Sequence, residues 1–267
     1  MISVNYQGGL GNVLFQYCFG RLLAESLGYK LNAPEVYGFP GTKLKIDGSV
    51  YKDSSVVLTG QVVEDKLTGH VVDMNKLIQN PPKSHVICDG HFMNYDYYKP
   101  VLNDIKTSWL VLDDEYKKIK KNNNDVVIHI RLGDYGPAER LSFSQYETIL
   151  KNYVKEWDNL YICTDSPSDP LITQFQKYGA IIHSSCEETW RNGVSPLATP
   201  TKTTLEDFSF IMSFNRIVLS VSTFSWWASV LSDASQLFYP LQGIFDPNNS
   251  WPGNFVIDEP RTIFCDL

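Results

Sequence analysis

The chain has 267 residues, enough for one large domain or two smaller ones with an ample core. Hydrophobic residues make up 43% and charged residues 20%, and the net charge of -7 argues against a nucleic-acid partner, since no basic face offsets it. Five cysteines (Cys18, Cys88, Cys163, Cys186, Cys265) are odd in number and lack metal-ligand spacing, which fits reduced thiols and a cytoplasmic setting. The amino terminus holds neither a basic stretch nor a long apolar run, so neither a signal peptide nor a membrane span is expected.

In chain order, residues 2–6 read as a strand, followed by a loop at Gly8-Gly9-Leu10-Gly11-Asn12. Apolar residues at helical spacing predict a helix over about residues 14–27, with Gly28 as its stop. Residues 30–32 resume an extended segment, and residues 37–79 offer only short strand-like pieces between turn signals. A strand at 85–89 ends in Gly90-His91-Phe92. Asp113-Asp114-Glu115 opens a short solvated helix that ends in Lys117, Lys118, Lys120 and Lys121, a charge order that complements the helix dipole. Asn122-Asn123-Asn124 marks a turn, and the domain boundary is expected there.

The second half alternates strand and helix. Strands are expected at 126–130, 160–163, 180–183, 217–221 and 237–239. Helices are expected from Ser144 (with Glu147 completing a capping box), at 170–178, at 206–214 and from Ser225. Such alternation predicts an α/β fold with parallel sheets covered by helices. Two Rossmann-like domains, 1–122 and 123–267, are expected to face a cleft.

Three segments carry chemistry. Val126-Val127-Ile128-His129-Ile130 is a buried-strand pattern that delivers His129, Arg131 and Asp134 to its carboxyl end, where α/β folds bind ligands. Arginine presents a fork of donors suited to phosphate oxygens. The glycine-rich turn lets backbone N–H groups approach an anion at a helix amino terminus, and Ser222-Thr223-Phe224-Ser225-Trp226-Trp227 places hydroxyls at another one. Each has a plainer reading. The glycines also suit a tight connection, His129 a core histidine, Arg131 with Asp134 a structural ion pair, and Ser222 and Thr223 ordinary caps.

In their order along the chain, the glycine turn with Gln16-Tyr17, Asp89-Gly90-His91-Phe92, His129-Ile130-Arg131-Leu132-Gly133-Asp134-Tyr135 and Ser222-Thr223-Phe224-Ser225-Trp226-Trp227 resemble glycosyltransferase family 11, the α-1,2-fucosyltransferases. The resemblance covers nearly the whole chain. It implies a GT-B fold, GDP-fucose as donor, an oligosaccharide or glycan acceptor on the amino-terminal side, inversion at the anomeric carbon and no metal. It also assigns roles. Arg131 would hold the β-phosphate and stabilise the departing GDP. Ser222, Thr223 and the N–H groups from Phe224 onward would contact the same diphosphate. His129 would meet the guanosine, Asp165 would lie near the nucleotide and Asp207 would recognise guanine. Gly9 and Gly11 would admit the donor, with Asn12 near the reaction centre. Glu139 is the expected base for the acceptor proton, followed by His91 and Asp134.

The chain departs from the family at two positions, Leu132 in place of a second arginine and Ser166 in place of a second acid. These departures motivate an alternative, a GT-B enzyme using another nucleotide sugar such as UDP-xylose. A catalytically silent nucleotide- or glycan-binding protein is the second alternative.

Overall fold

The computed structural model describes residues 1–60, 71–133, 135–136, 139–184, 200–249 and 251–267. These residues fall into two compact units. The first comprises residues 1–113, 200 and 251–255, and the second takes the other described residues from Asp114 onward. The division thus precedes the Asn122-Asn123-Asn124 turn, for a physical reason. Segment 114–121 is bound to the second unit, where the Ser209 hydroxyl donates to the Tyr116 carbonyl and the Lys121 N–H to the Ser213 carbonyl. Residues 251–255 return to the first unit through Asn254, whose N–H donates to Asn94 Oδ1 at 3.0 Å.

The first unit is built on four parallel strands, β1 (Ile2–Val4), β2 (Leu31–Asn32), β3 (Ser55–Leu58) and β4 (His85–Cys88), in the order β2-β1-β4-β3. Helix α1 (Leu10–Leu27) starts earlier than its pattern suggests, so Gly11 and Asn12 belong to its first turn rather than to a loop. It is apolar around most of its circumference and buries thirteen of its eighteen residues, as an interior helix does. Gly28 ends it in the left-handed region (φ 64°). There the Gly28 N–H reaches the Glu25 carbonyl and the Tyr29 N–H reaches that of Ala24, which satisfies two terminal carbonyls. Short helices α2 (Met74–Gln79), α3 (Tyr95–Tyr98) and α4 (Leu102–Asp104) follow. Phe19 stacks on Phe92 at 4.0 Å, and the buried Tyr98 hydroxyl donates to the carbonyls of Phe92 and Phe15.

The second unit holds six parallel strands: β5 (Val126–Ile130), β6 (Leu160–Thr164), β7 (Ile181–His183), β8 (Arg216–Val218), β9 (Gln236–Pro240) and β10 (Thr262–Cys265). The order β10-β9-β8-β5-β6-β7 is that of a doubly wound sheet, with the chain reversing its direction of travel between β5 and β8. Strand β10 was not anticipated, being short and mostly half-exposed. Helices α5 (Phe143–Ile149), α6 (Pro170–Thr173), α7 (Lys202–Met212) and α8 (Thr223–Leu231) connect the strands.

The α5 cap differs from expectation. Ser142 and Gln145 form the capping box, whereas Glu147 binds Lys177 at 2.6 Å and Lys151 at 3.2 Å. Trp226 and Trp227 are fully buried on α8. Each such ring removes roughly 150–250 Å² from water, roughly 4–6 kcal/mol before entropy is charged against it. Arg261 caps the far end of α8 by donating to the carbonyls of Ser229, Val230, Ser232 and Ala234. Among the described residues no helix is long and apolar enough to cross a membrane. Cys18, Cys88, Cys163 and Cys265 are buried, and Cys186 lies outside the described residues.

Candidate functional site

Ligands of open α/β sheets bind beyond the carboxyl ends of the strands where the chain reverses its direction of travel. In the second unit that point lies between β5 and β8, which pair directly (Ile128 with Val218). Arg131 follows β5 and Ser220 to Ser222 follow β8, so the two expected segments emerge side by side. A buried contact joins them, His129 Nδ1 to Ser220 Oγ at 2.6 Å. The His129 ring also lies 5.3 Å from the Phe224 ring at the start of α8.

Arg131 extends from β5 with its side chain 17% exposed and meets Asp165 Oδ2 at 2.6 Å. Asp165 follows β6, the other neighbour of β5. Its carboxylate also accepts the N–H groups of Leu132 (3.0 Å) and Gly133 (3.2 Å). Its visible work is therefore to shape the loop after β5 and hold the guanidinium. Arg140 completes this clamp, donating to the carbonyls of Leu132 (2.5 Å) and Tyr135 (2.7 Å). The Leu132 side chain is buried.

Ser222 caps α8 by accepting the Phe224 N–H, while Thr223 and Phe224 are half-buried in the first turn. The plainer reading of Ser222 as a cap is thus satisfied, and the helix amino terminus it caps opens beside Arg131's strand. Asp207, buried on α7, meets His183 Nε2 at 3.1 Å, and the His183 ring stacks on Phe210 at 3.6 Å. Glu139 is exposed and its carboxylate accepts the Gly136 N–H at 2.7 Å, closing a turn. Asp134 lies outside the described residues.

No family model and no curated protein matches this chain.

His91, Gly9, Gly11 and Asn12 belong to the first unit. Gly9 precedes α1, its carbonyl accepting the N–H groups of Asn12 and Val13. The Asn12 amide lies over Gly8, in the space a Cβ there would fill. Gly90 has no alternative, because a Cβ would stand 1.6 Å from the Thr59 carbonyl oxygen. His91 is buried beside Gln16. Among the described residues, no group of three or more His, Cys, Asp or Glu could hold a metal ion.

Ser220, His183 and Arg140 are site neighbours that motif reading missed. Ser220 and His183 act on partners distant in sequence, whereas Arg140 binds carbonyls five and eight residues earlier in its own loop.

The electrostatics of His129 carry a measurable consequence. Burial holds its imidazole well below the ordinary value of 6.5; Asp165 opposes that shift, Arg131 adds to it and Asp207 opposes it. Below pH 6.5 the unfolded chain takes up a proton that the folded chain refuses, so stability falls as pH drops below that value, by at most about 1.4 kcal/mol per pH unit for this group. His129→Asn keeps a partner for Ser220 and removes the titration. Urea-unfolding midpoints from pH 7 to about pH 5 should therefore decline less steeply in the variant than in the wild type. Equal slopes would assign the acid sensitivity to other groups.

Proposed function

We propose that the protein is an inverting GT-B glycosyltransferase that moves fucose from GDP-fucose to a hydroxyl of a glycan. The observation that carries this reading is that Arg131 and the Ser222-capped start of α8 follow adjacent strands of a doubly wound sheet. A cation with a fork of donors beside a helix amino terminus is the chemistry a leaving diphosphate needs. The motif order in the sequence supplies the donor sugar and the transfer. Two parallel α/β units are what a GT-B enzyme requires, with the donor assigned to the second and the acceptor to the first. The proposed reaction is a direct displacement. The acceptor oxygen bonds to the anomeric carbon as the bond to the β-phosphate oxygen breaks, the diphosphate leaves with the electron pair, and a base takes the acceptor proton. Glu139 is proposed as that base.

One observation favours a second reading with a different nucleotide. Asp207, the carboxylate assigned to guanine, is already engaged by His183. Thermal unfolding with GDP, GDP-fucose, UDP and UDP-xylose separates the two, since a ligand that binds only the folded state raises its stability. At a hundred times its dissociation constant a ligand adds about 2.7 kcal/mol. The expected result is a rise in Tm with the guanine nucleotides alone. A rise with the uracil nucleotides alone would replace the donor, and no response to any of the four would sink the donor assignment.

A further inference from the structure

The first unit has its own point of reversal, between β1 and β4, whose pairing sets Val4 against Cys88. The segments leaving those two strand ends converge on Gln16, a fully buried amide on α1. Its Oε1 lies 2.8 Å from the Gln7 backbone nitrogen, and its Nε2 lies 3.1 Å from the Gln7 carbonyl oxygen and 3.2 Å from His91 Nδ1. The Gln7 side chain continues the network to Asp89 Oδ1 at 2.7 Å.

Donor and acceptor logic settles the protons. The Gln7 N–H only donates, so the atom facing it must be the amide oxygen. The amide nitrogen then faces the Gln7 carbonyl and His91, with one hydrogen for each. His91 Nδ1 therefore accepts, and a neutral His91 carries its proton on Nε2. Burial lowers the affinity of this ring for a second proton. Asp89, reached through Gln7, and Cys88, the preceding residue, are the neighbouring titratable groups in sequence and network.

We propose that Gln16 is a positioning residue that sets His91 as a neutral, Nε2-protonated donor to an oxygen of the acceptor sugar. A sugar hydroxyl accepts as readily as it donates, so a fixed N–H donor orients it without competing for its proton. His91 then acts as a binding donor and leaves proton abstraction to another group. The ligand half of this inference rests on the glycosyl-transfer reading; the tautomer half does not.

The test is a long-range 1H–15N correlation spectrum of the imidazoles in the labelled full chain, assigned with His91→Gln. At pH 7 the expected His91 signature is a neutral ring protonated on Nε2. An Nδ1-protonated or charged ring would overturn the proposal, and this wild-type result needs no variant to fold. Gln16→Glu should place a carboxylate oxygen against Nδ1, move the proton there and raise the His91 titration midpoint by about one pH unit or more. Gln16→Met should give a mixture of tautomers. Retention of the pure Nε2-protonated form in both variants would show that Gln16 does not set it. With a glycoside that supports turnover, Gln16→Met should raise the KM for that glycoside severalfold and leave the donor KM unchanged. Equal KM values for the glycoside would overturn the ligand half. Failure of any donor to turn over would remove the glycosyl-transfer reading and the ligand half with it, while the spectrum still decides the tautomer.

Discussion

Asp165→Ala is expected to destabilise the second unit by about 3–5 kcal/mol, the range for breaking one side of a buried charge pair. In a protein of ordinary stability, roughly 5–15 kcal/mol in all, that is a severe loss. The reason lies in what the carboxylate satisfies. It is 7% exposed and binds Arg131 at 2.6 Å together with the N–H groups of Leu132 and Gly133. Alanine removes this carboxylate from the guanidinium and from both amides, and losing the acceptor of a buried donor costs more than the net worth of the bond. Asp165→Asn keeps one oxygen acceptor and replaces the other with a donor facing donors, so it should fall between alanine and the wild type. Urea-unfolding midpoints at pH 7 measure the series. A midpoint for Asp165→Ala within error of the wild type would mean that the loop does not depend on this clamp.

The parts of this architecture visible in the sequence are those written locally. The run Val126-Val127-Ile128-His129-Ile130 is apolar and β-branched, and it forms the fully buried β5. Gly28 stops α1 because the left-handed conformation it adopts is costly for other residues. Strand β10 carries no such mark: Thr262 and Ile263 are half-exposed, and only its pairing with β9 makes it a strand. The α5 cap was misplaced by two residues' worth of ambiguity, since Ser142 and Ser144 both offer a hydroxyl and both have a partner three positions on. The site shows the same limit. Alternation of strands and helices announces a parallel sheet but not its order, and the order is what sets β5, which leads to Arg131, beside β8, which leads to Ser222. Asp165 contacts the loop after β5, thirty-odd residues earlier in the chain, a link that no local pattern shows. Ser220 and His183 acquire meaning only through His129 and Asp207, partners that no local pattern names.

Arg131→Ala is expected to lower turnover of GDP-fucose by roughly 10²–10³, the loss seen when one preorganised donor to a developing negative charge is removed. The variant should remain folded, because Asp165 keeps the Leu132 and Gly133 N–H groups as partners. Arg131→Lys separates charge from geometry. Lysine retains the positive charge but not the planar fork, so a reaction that depends on two aligned donors should recover only part of the loss. How the loss divides between constants identifies the step at which Arg131 acts. A fall in kcat with an unchanged donor KM means that the guanidinium serves the departing diphosphate, whereas a raised donor KM alone means that it serves ground-state binding. The pairing with Asp165 bears on which result to expect. A guanidinium already held by a carboxylate and a shaped loop is oriented before the donor arrives, and preorganised donors contribute most in the transition state. The expected signature is therefore a fall in kcat. Turnover unchanged in Arg131→Ala, with its unfolding midpoint intact, would remove Arg131 from the chemistry and leave the Asp165 pair as a purely structural feature of the sheet edge.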